Sequence, residues 1–158
     1  MRFIFAGFWG RAVGKYLFDE NPISLSPELA AEIGMEAAAV LQQIRFWENN
    51  NKLNDRNFYE GFYWVYNTYA DWQETNFFFL SERKVADTIR FLEKENLIIS
   101  AQFKKAEGIN TKFYRVNPEA MESLEKTIGE KYAKRIEMIR QKKQAKKQAQ
   151  GENQKKEQ

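Results

Sequence analysis

The chain of 158 residues contains no cysteine and no histidine. Without cysteine it can form neither a disulfide scaffold nor a thiolate-ligated zinc or iron–sulfur site. Without histidine it lacks Ser–His triads, imidazole metal ligands and the most common general base near neutral pH. Carboxylates remain, but no clustered Asp/Glu pair marks a cleft suited to Mg²⁺ chemistry. The sequence therefore predicts a protein that is not an enzyme and has no cofactor or metal site.

A long uninterrupted hydrophobic run is also missing. The first twenty residues are rich in apolar and aromatic side chains, but Gly7, Gly10 and Arg11 interrupt them, and no small-residue cleavage site precedes Asp19. Such a segment is neither a typical signal peptide nor long enough to span a bilayer. We therefore expect residues 1–20 to be an N-terminal extension of a cytoplasmic protein with no membrane partner.

Charge is distributed unevenly along the chain. Residues 131–158 carry ten Lys/Arg against three Glu, a net charge of +7, whereas residues 1–130 carry fifteen against nineteen, a net charge of −4. Every aromatic residue lies at or before Tyr132, and no large apolar residue follows Ile139. Residues 140–158 are therefore predicted to be a basic polar tail, helical at most, suited to phosphate or an acidic partner. The alternative is a charge-rich helix end that is simply solvated.

Helical and extended patterns alternate through residues 21–118. Ser26 and Pro27 predict the start of a helix, and apolar residues at helical spacing continue it through Trp47 until the polar run 49–51 ends it. From Pro118, apolar residues spaced three and four apart predict an amphipathic helix over 119–139. Between these helices the sequence predicts a loop over 50–61, a strand over 62–66, helices over 69–75 and 82–95, a strand over 97–103, a tight connection over 104–110 and a returning strand over 111–116.

This order predicts a mainly α fold with a small β-hairpin wing: a winged helix-turn-helix domain over 21–118, followed by a long C-terminal helix. In that fold the third helix enters the major groove of DNA and the wing lies beside it. On a helical wheel Val85, Ile89 and Leu92 point inward, which leaves a predominantly basic face outward. The candidate DNA-binding residues are Ser81, Arg83, Lys84, Asp87, Arg90 and Lys94 on this helix, Lys104, Lys105, Lys112 and Arg115 on the hairpin, and Tyr69 at the start of the preceding helix.

Several motifs resemble one known family. They are VLQQI (40–44), FW (46–47), GFYWVYNT (61–68), DWQ (71–73), FLEKENLIIS (91–100) and KFYR (112–115). In combination they are similar to the winged-helix N-terminal domain of replication initiation proteins, or replisome organisers, from phages and mobile elements of Gram-positive bacteria. The resemblance covers about residues 16–121. It implies origin binding and recruitment of a helicase loader or primosomal protein, and longer members carry a further domain resembling the primosomal protein DnaD.

The leading functional prediction is sequence-specific binding of double-stranded DNA in the initiation of phage or mobile-element replication. A transcriptional regulator on the same fold is the first alternative, because a fold does not determine its function. A protein-interaction adaptor that docks through its basic tail is the second.

Two features leave further alternatives open. Aromatic residues such as Trp47, Trp64 and Trp72 can stack on unpaired bases, but their spacing on helix and strand faces favours core packing. The stripe over 119–139 can pack on the domain, carry the tail to a partner or form a homodimer seam, although it is too short to predict a coiled coil.

Overall fold

A computed structural model describes residues 24–156, with side chains described as far as residue 150. The predicted N-terminal extension, residues 1–20, lies outside the described residues. The chain is mainly helical, with small antiparallel sheets and a long C-terminal helix. The elements in order are α1 (Pro27–Ile33), α2 (Met35–Leu53), β1 (Phe58–Tyr59), β2 (Phe62–Tyr63), β3 (Val65–Tyr66), α3 (Tyr69–Thr75), α4 (Glu82–Lys94), β4 (Ile98–Ala101), β5 (Phe113–Val116) and α5 (Pro118–Lys156).

The single helix predicted from Pro27 to Trp47 is two helices. Ser26 does cap α1, since its Oγ accepts a hydrogen bond from the backbone N–H of Leu29. Gly34, however, has a φ of +92°, which a residue with a side chain rarely adopts, and the chain changes direction there. After this break α2 buries six small and aliphatic residues, Ala37, Ala38, Ala39, Val40, Leu41 and Ile44.

The polar run 49–51 does not end α2, which continues to Leu53. The prediction was wrong because two of these asparagines have side-chain partners: Asn51 Nδ2 donates to the carbonyl of Trp64 at 2.7 Å, and Asn50 Oδ1 accepts from Asn54 Nδ2 at 3.2 Å. Polar side chains that are satisfied within the fold do not favour a helix end as they do in isolation.

A β-hairpin occupies part of the segment predicted to be a loop. Strands β1 and β2 pair antiparallel, and the turn between them is made by Glu60 and Gly61, both with positive φ. The strand predicted over 62–66 is therefore two short strands, β2 and β3, with Trp64 between them. Trp64 is buried, and its indole N–H donates to the carbonyl of Tyr59 at 3.0 Å.

Strand β5 lies at the centre of the second sheet, which has the order β3-β5-β4 and is antiparallel throughout. Tyr66 pairs with Phe113 across one edge, and Ile98 pairs with Val116 across the other. Both β4 and β5 are shorter than predicted, because the connection between them is longer. It runs over 102–112 and contains a single turn of 3₁₀ helix, Lys105–Glu107, closed by Gly108 in the left-handed region.

Helices α3 and α4 begin and end within one residue of their predicted bounds. Thr68 and Asp71 form a capping box at the start of α3, and Ser81 Oγ accepts from the backbone N–H of Lys84 at the start of α4. Asn96, with a φ of +58°, follows the end of α4. The core between α2, α3, α4 and β5 contains fully buried side chains, chiefly Val40, Ile44, Trp72, Phe77, Val85, Ile89, Leu92 and Tyr114.

Helix α5 is continuous from Pro118 to Lys156, so the backbone does not divide it into the predicted helix and tail. Only its first turns pack on the core, through Ala120, Met121 and Leu124. Lys131 Nζ forms an ion pair with Glu32 Oε1 of α1 at 2.6 Å. None of the helices within residues 24–156 has both the length and the apolarity to cross a membrane.

Glu48 connects α2 to the central strand. Its Oε2 accepts the backbone N–H of Val116 at 3.3 Å, and its Oε1 contacts Arg45 at the same distance. Burial raises the pKa of this carboxyl above its usual value, in opposition to the hydrogen bond from Val116 and the nearby Arg45 and Arg115. The folded chain thus favours the neutral form of Glu48 more than the unfolded chain does.

This shift predicts a specific pH dependence of stability. Because the folded-state pKa of Glu48 is raised, its contribution is fully present below the unfolded-state pKa and is lost as pH rises through the folded-state value. Glu48→Gln cannot ionise, so its free energy of unfolding should improve relative to the native chain as pH rises through this range. Urea denaturation across a pH series measures the difference, and Glu60→Gln at the exposed turn is the control. A difference independent of pH would contradict the assignment.

Candidate nucleic-acid interface

Helix α4 presents a charged outer face. Val85, Ile89 and Leu92 are fully buried, as the helical wheel predicts, and Arg83, Lys84, Asp87, Arg90 and Lys94 are exposed on the other side. Arg83 is the most exposed of the ion-paired residues, with 92% of its side chain accessible. The helix is thus anchored by one apolar stripe while its cations remain available to solvent.

Most cations of α4 already have acidic neighbours. Asp87 lies between two arginines, with Oδ2 3.8 Å from Arg83 Nε and Oδ1 2.9 Å from Arg90. Lys84 Nζ is 3.4 Å from Glu36 Oε1 on α2. Exposed ion pairs of this kind contribute only about 0–1 kcal/mol, so a stronger anion such as phosphate can replace the carboxylate. The ion pairs therefore orient the cations and leave them able to bind another anion.

The β4–β5 connection adds three lysines with different surroundings. Lys105 is exposed in the 3₁₀ turn, and Lys104 Nζ lies 5.9 Å from the centre of the Tyr66 ring. Lys112 Nζ forms an ion pair with Glu93 Oε1 of α4 at 2.7 Å, and it is only 40% exposed. That pair ties the end of the connection to the C-terminal half of α4, so Lys112 lies next to the charged face of the helix.

Tyr69, at the start of α3, lies beneath this surface. The Arg90 guanidinium is 5.7 Å from the centre of its ring. Burial is the main cause of the raised pKa of Tyr114, and a hydrogen bond with the Tyr69 side chain raises this pKa further. The Tyr114 phenol therefore stays neutral. A groove of about 500 Å³ opens here, lined by Thr68, Tyr69, Lys112, Tyr114 and polar residues of the connection. Tyr69 and Lys112 therefore line one groove, and Arg90 lies against the Tyr69 ring outside its lining.

Arg115 is not part of this group. Successive side chains of a strand point to opposite faces, so Arg115 points away from the side that Lys112 and Tyr114 share. Its guanidinium stacks 3.9 Å from the centre of the Phe62 ring, and its buried Nε has no hydrogen-bond partner among the described residues. It lines a separate cavity with Glu48 and Met121. Ser81 also differs from the rest, because its hydroxyl is occupied in capping α4.

Glu36 and Glu93 are members of the site that sequence reasoning missed. Glu36 lies 48 residues before its partner Lys84, and Glu93 lies 19 residues before its partner Lys112. Local spacing does not reveal such distant partners. The spacing of four and three residues from Asp87 to Arg83 and Arg90, by contrast, does predict contacts on a helix. Within residues 24–150 no group of three or more acidic side chains is placed to hold a metal ion.

Comparison with family models, with curated proteins and with solved structures gave no match. The arrangement of charged side chains on α4 and the β4–β5 connection therefore supplies the structural basis for a functional proposal.

Neutralising Asp87 should release both arginines. We expect Asp87→Asn to change the free energy of unfolding by less than about 1 kcal/mol, because the pairs are exposed. Binding to a non-specific duplex should tighten, because one negative charge leaves the surface of α4, and the slope of log affinity against log salt should become steeper by about one phosphate contact. Glu130→Gln removes the same charge from the exposed face of α5 and is the matched control. Equal effects of the two substitutions would assign the gain to net charge alone.

Proposed function

We propose that this chain binds double-stranded DNA sequence-specifically as a winged helix-turn-helix protein. In this proposal α3 and α4 form the helix-turn-helix, and β4, β5 and their connection form the wing. The observation that carries it is the row of exposed cations on α4 together with Lys112 of the connection, which its ion pair with Glu93 holds against that helix. A helix anchored by one apolar face and exposing cations on the other is suited to the major groove.

The two elements have different roles. Arg83, Lys84 and Arg90 on α4 would contact base edges, since arginine can donate two hydrogen bonds to guanine. Asp87 would orient the two arginines and accept a hydrogen bond from the amino group of cytosine. Lys104 and Lys105 on the connection, with Lys94 at the end of α4, would bind phosphates or reach the minor groove, which positions the protein without reading sequence.

The biological role we propose is initiation of phage or mobile-element replication in the cytoplasm, with a helicase loader or primosomal protein as partner. Its support is the family resemblance of motifs that now lie in α2, in the segment from β2 to α3, and in α4, β4 and β5. A transcriptional regulator would use the same surface, and the position of the binding site separates the two: a repeat array beside an AT-rich region for an initiator, a promoter for a regulator.

The proposal also includes a homodimer, through a shorter part of the seam predicted over residues 119–139. Met121 and Leu124 pack on the core and are not available to a second copy. Beyond them Tyr132, Met138 and Ile139 are exposed on α5, at 46%, 56% and 38% respectively. A seam between two copies would therefore begin after Leu124, at Ile128.

Duplex titration tests the central claim. With about five phosphate contacts, affinity should fall by about 500-fold between 50 and 200 mM salt. Arg83→Ala or Arg90→Ala should cost about 1–3 kcal/mol on the specific site and relax sequence preference. Lys105→Ala should weaken binding to all sequences alike. Fluorescence anisotropy with specific and scrambled duplexes measures both effects.

The opposite pattern, with specificity changed by Lys105→Ala and not by the arginine substitutions, would reverse the two roles. Absence of binding to any duplex at low salt would overturn the proposal and favour the adaptor.

Truncation after Ile139 tests the role of the basic end of α5. It removes seven Lys/Arg and two Glu, a net +5, and the described side chains beyond Ile139 are all exposed. The melting temperature should therefore stay unchanged, while non-specific duplex binding weakens and its salt dependence becomes shallower. Sequence preference should survive, because α4 and the connection are intact. Unchanged DNA affinity together with loss of a protein partner would make this segment a docking site.

A further inference from the structure

A second groove, of about 360 Å³, lies between α2, the segment after β3 and the end of α3. No charged residue lines it. The lining consists of aromatic, aliphatic and uncharged polar side chains: Trp47, Asn51, Asn57, Val65, Tyr66, Asn67, Trp72, Thr75 and Asn76. Its volume falls within the range of about 300–1,000 Å³ typical of ligand pockets. A neutral lining rich in amides favours a neutral ligand with both hydrogen-bond donors and acceptors.

The groove has unused hydrogen-bonding capacity. The amide groups of Asn57 and Asn67 are half-buried and make no side-chain hydrogen bond to another described residue. Trp72 is fully buried, and its indole N–H has no partner within the described part of the chain. By contrast Asn51 and Asn76 each donate to a neighbour, which fixes their orientation. The two half-buried asparagines can therefore bond a ligand, whereas the Trp72 N–H lies below the groove surface and is not counted among its donors.

Two aromatic rings that border the groove are partly exposed. One side of the Tyr66 ring packs against Phe113, whose ring centre is 4.7 Å away. Trp47 is 37% exposed and Tyr66 is 39% exposed, whereas Trp64 and Trp72 are buried in the body of the protein. The sequence favours core packing for Trp47, Trp64 and Trp72, and the structure buries Trp64 and Trp72 but leaves Trp47 partly exposed. Exposed rings beside free amides form the combination that binds unpaired bases, by stacking on their faces and hydrogen bonding to their edges.

We propose that this groove binds an unpaired base of single-stranded DNA. Lys104 supports this choice of ligand: it lies outside the groove lining, with its Nζ 5.9 Å from the Tyr66 ring centre, where it can bind a phosphate of the same strand. The same lysine belongs to the proposed duplex surface, so an unwound strand beside a bound duplex could reach the groove. The inference goes beyond duplex binding and has its own test.

The test compares two strands of equal charge on the full chain. One is an oligothymidine of about ten nucleotides, and the other has the same sugar–phosphate backbone without bases. Because the basic end of α5 attracts both strands equally, their affinity ratio isolates recognition of the bases. We expect the oligothymidine to bind about tenfold or more tightly. Equal affinities would overturn the proposal.

Substitutions locate the effect. Trp47→Leu and Tyr66→Leu should each bring the affinity ratio towards one, while Phe78→Leu, at a ring that is 76% exposed and outside the groove, should leave it unchanged. Thermal unfolding checks that each variant folds. If one groove variant does not fold, the other is sufficient for the test. A loss of preference in Phe78→Leu equal to that in the groove variants would overturn the assignment.

Two further measurements distinguish binding of an unpaired base in the groove from duplex binding and from binding of a free nucleoside. Duplex binding by Trp47→Leu should match the native chain, so a failure of the groove is distinguishable from a failure of the duplex surface. Free thymidine is the other arm: binding as tight as that of the oligothymidine would assign the groove to a nucleoside and overturn the assignment to a DNA strand.

Discussion

The position of strand β5 is the constraint on which the rest of the structure depends. This strand of four residues pairs with β3 on one side and β4 on the other, and the carboxylate of Glu48 accepts the backbone N–H of Val116 at its end. Segments far apart in sequence therefore meet on one short strand. Tyr114 from the same strand fills the core against α4. Displacing β5 would move the sheet, α2 and the surface of α4 together.

Side-chain alternation along β5 divides its residues between two environments. Tyr114, and Lys112 just before the strand, face α3 and α4, where Glu93, Arg90 and Tyr69 surround them. Phe113 and Arg115 face the aromatic cluster formed with Tyr59, Tyr66 and Phe103 and with Phe62. One strand thus serves both the charged surface and the aromatic packing beneath the β1–β2 hairpin.

Sequence reasoning succeeds here where the signal is local. Thr68, Ser81 and Pro118 mark helix starts, and the spacing of Val85, Ile89 and Leu92 identifies the buried face of α4. It fails where tertiary contacts decide: Asn51 stays helical because it bonds to Trp64, Arg115 turns to Phe62, and Lys84 and Lys112 meet acids from distant segments. The break at Gly34 and the β1–β2 hairpin depend on positive φ angles at positions that local composition marks only weakly.

The length of α5 has a consequence for geometry. A helix rises about 1.5 Å per residue, so the part from Leu124 to Lys156 extends roughly 48 Å along its axis. Its base is held on the core at Leu124 and by the Lys131–Glu32 pair. Such a helix is a spacer and not a flexible tether, because it sets both the distance and the direction of whatever binds at its far end. The orientation of the far end relative to the core therefore depends on helix length and register: adding two residues would turn it by about 200°.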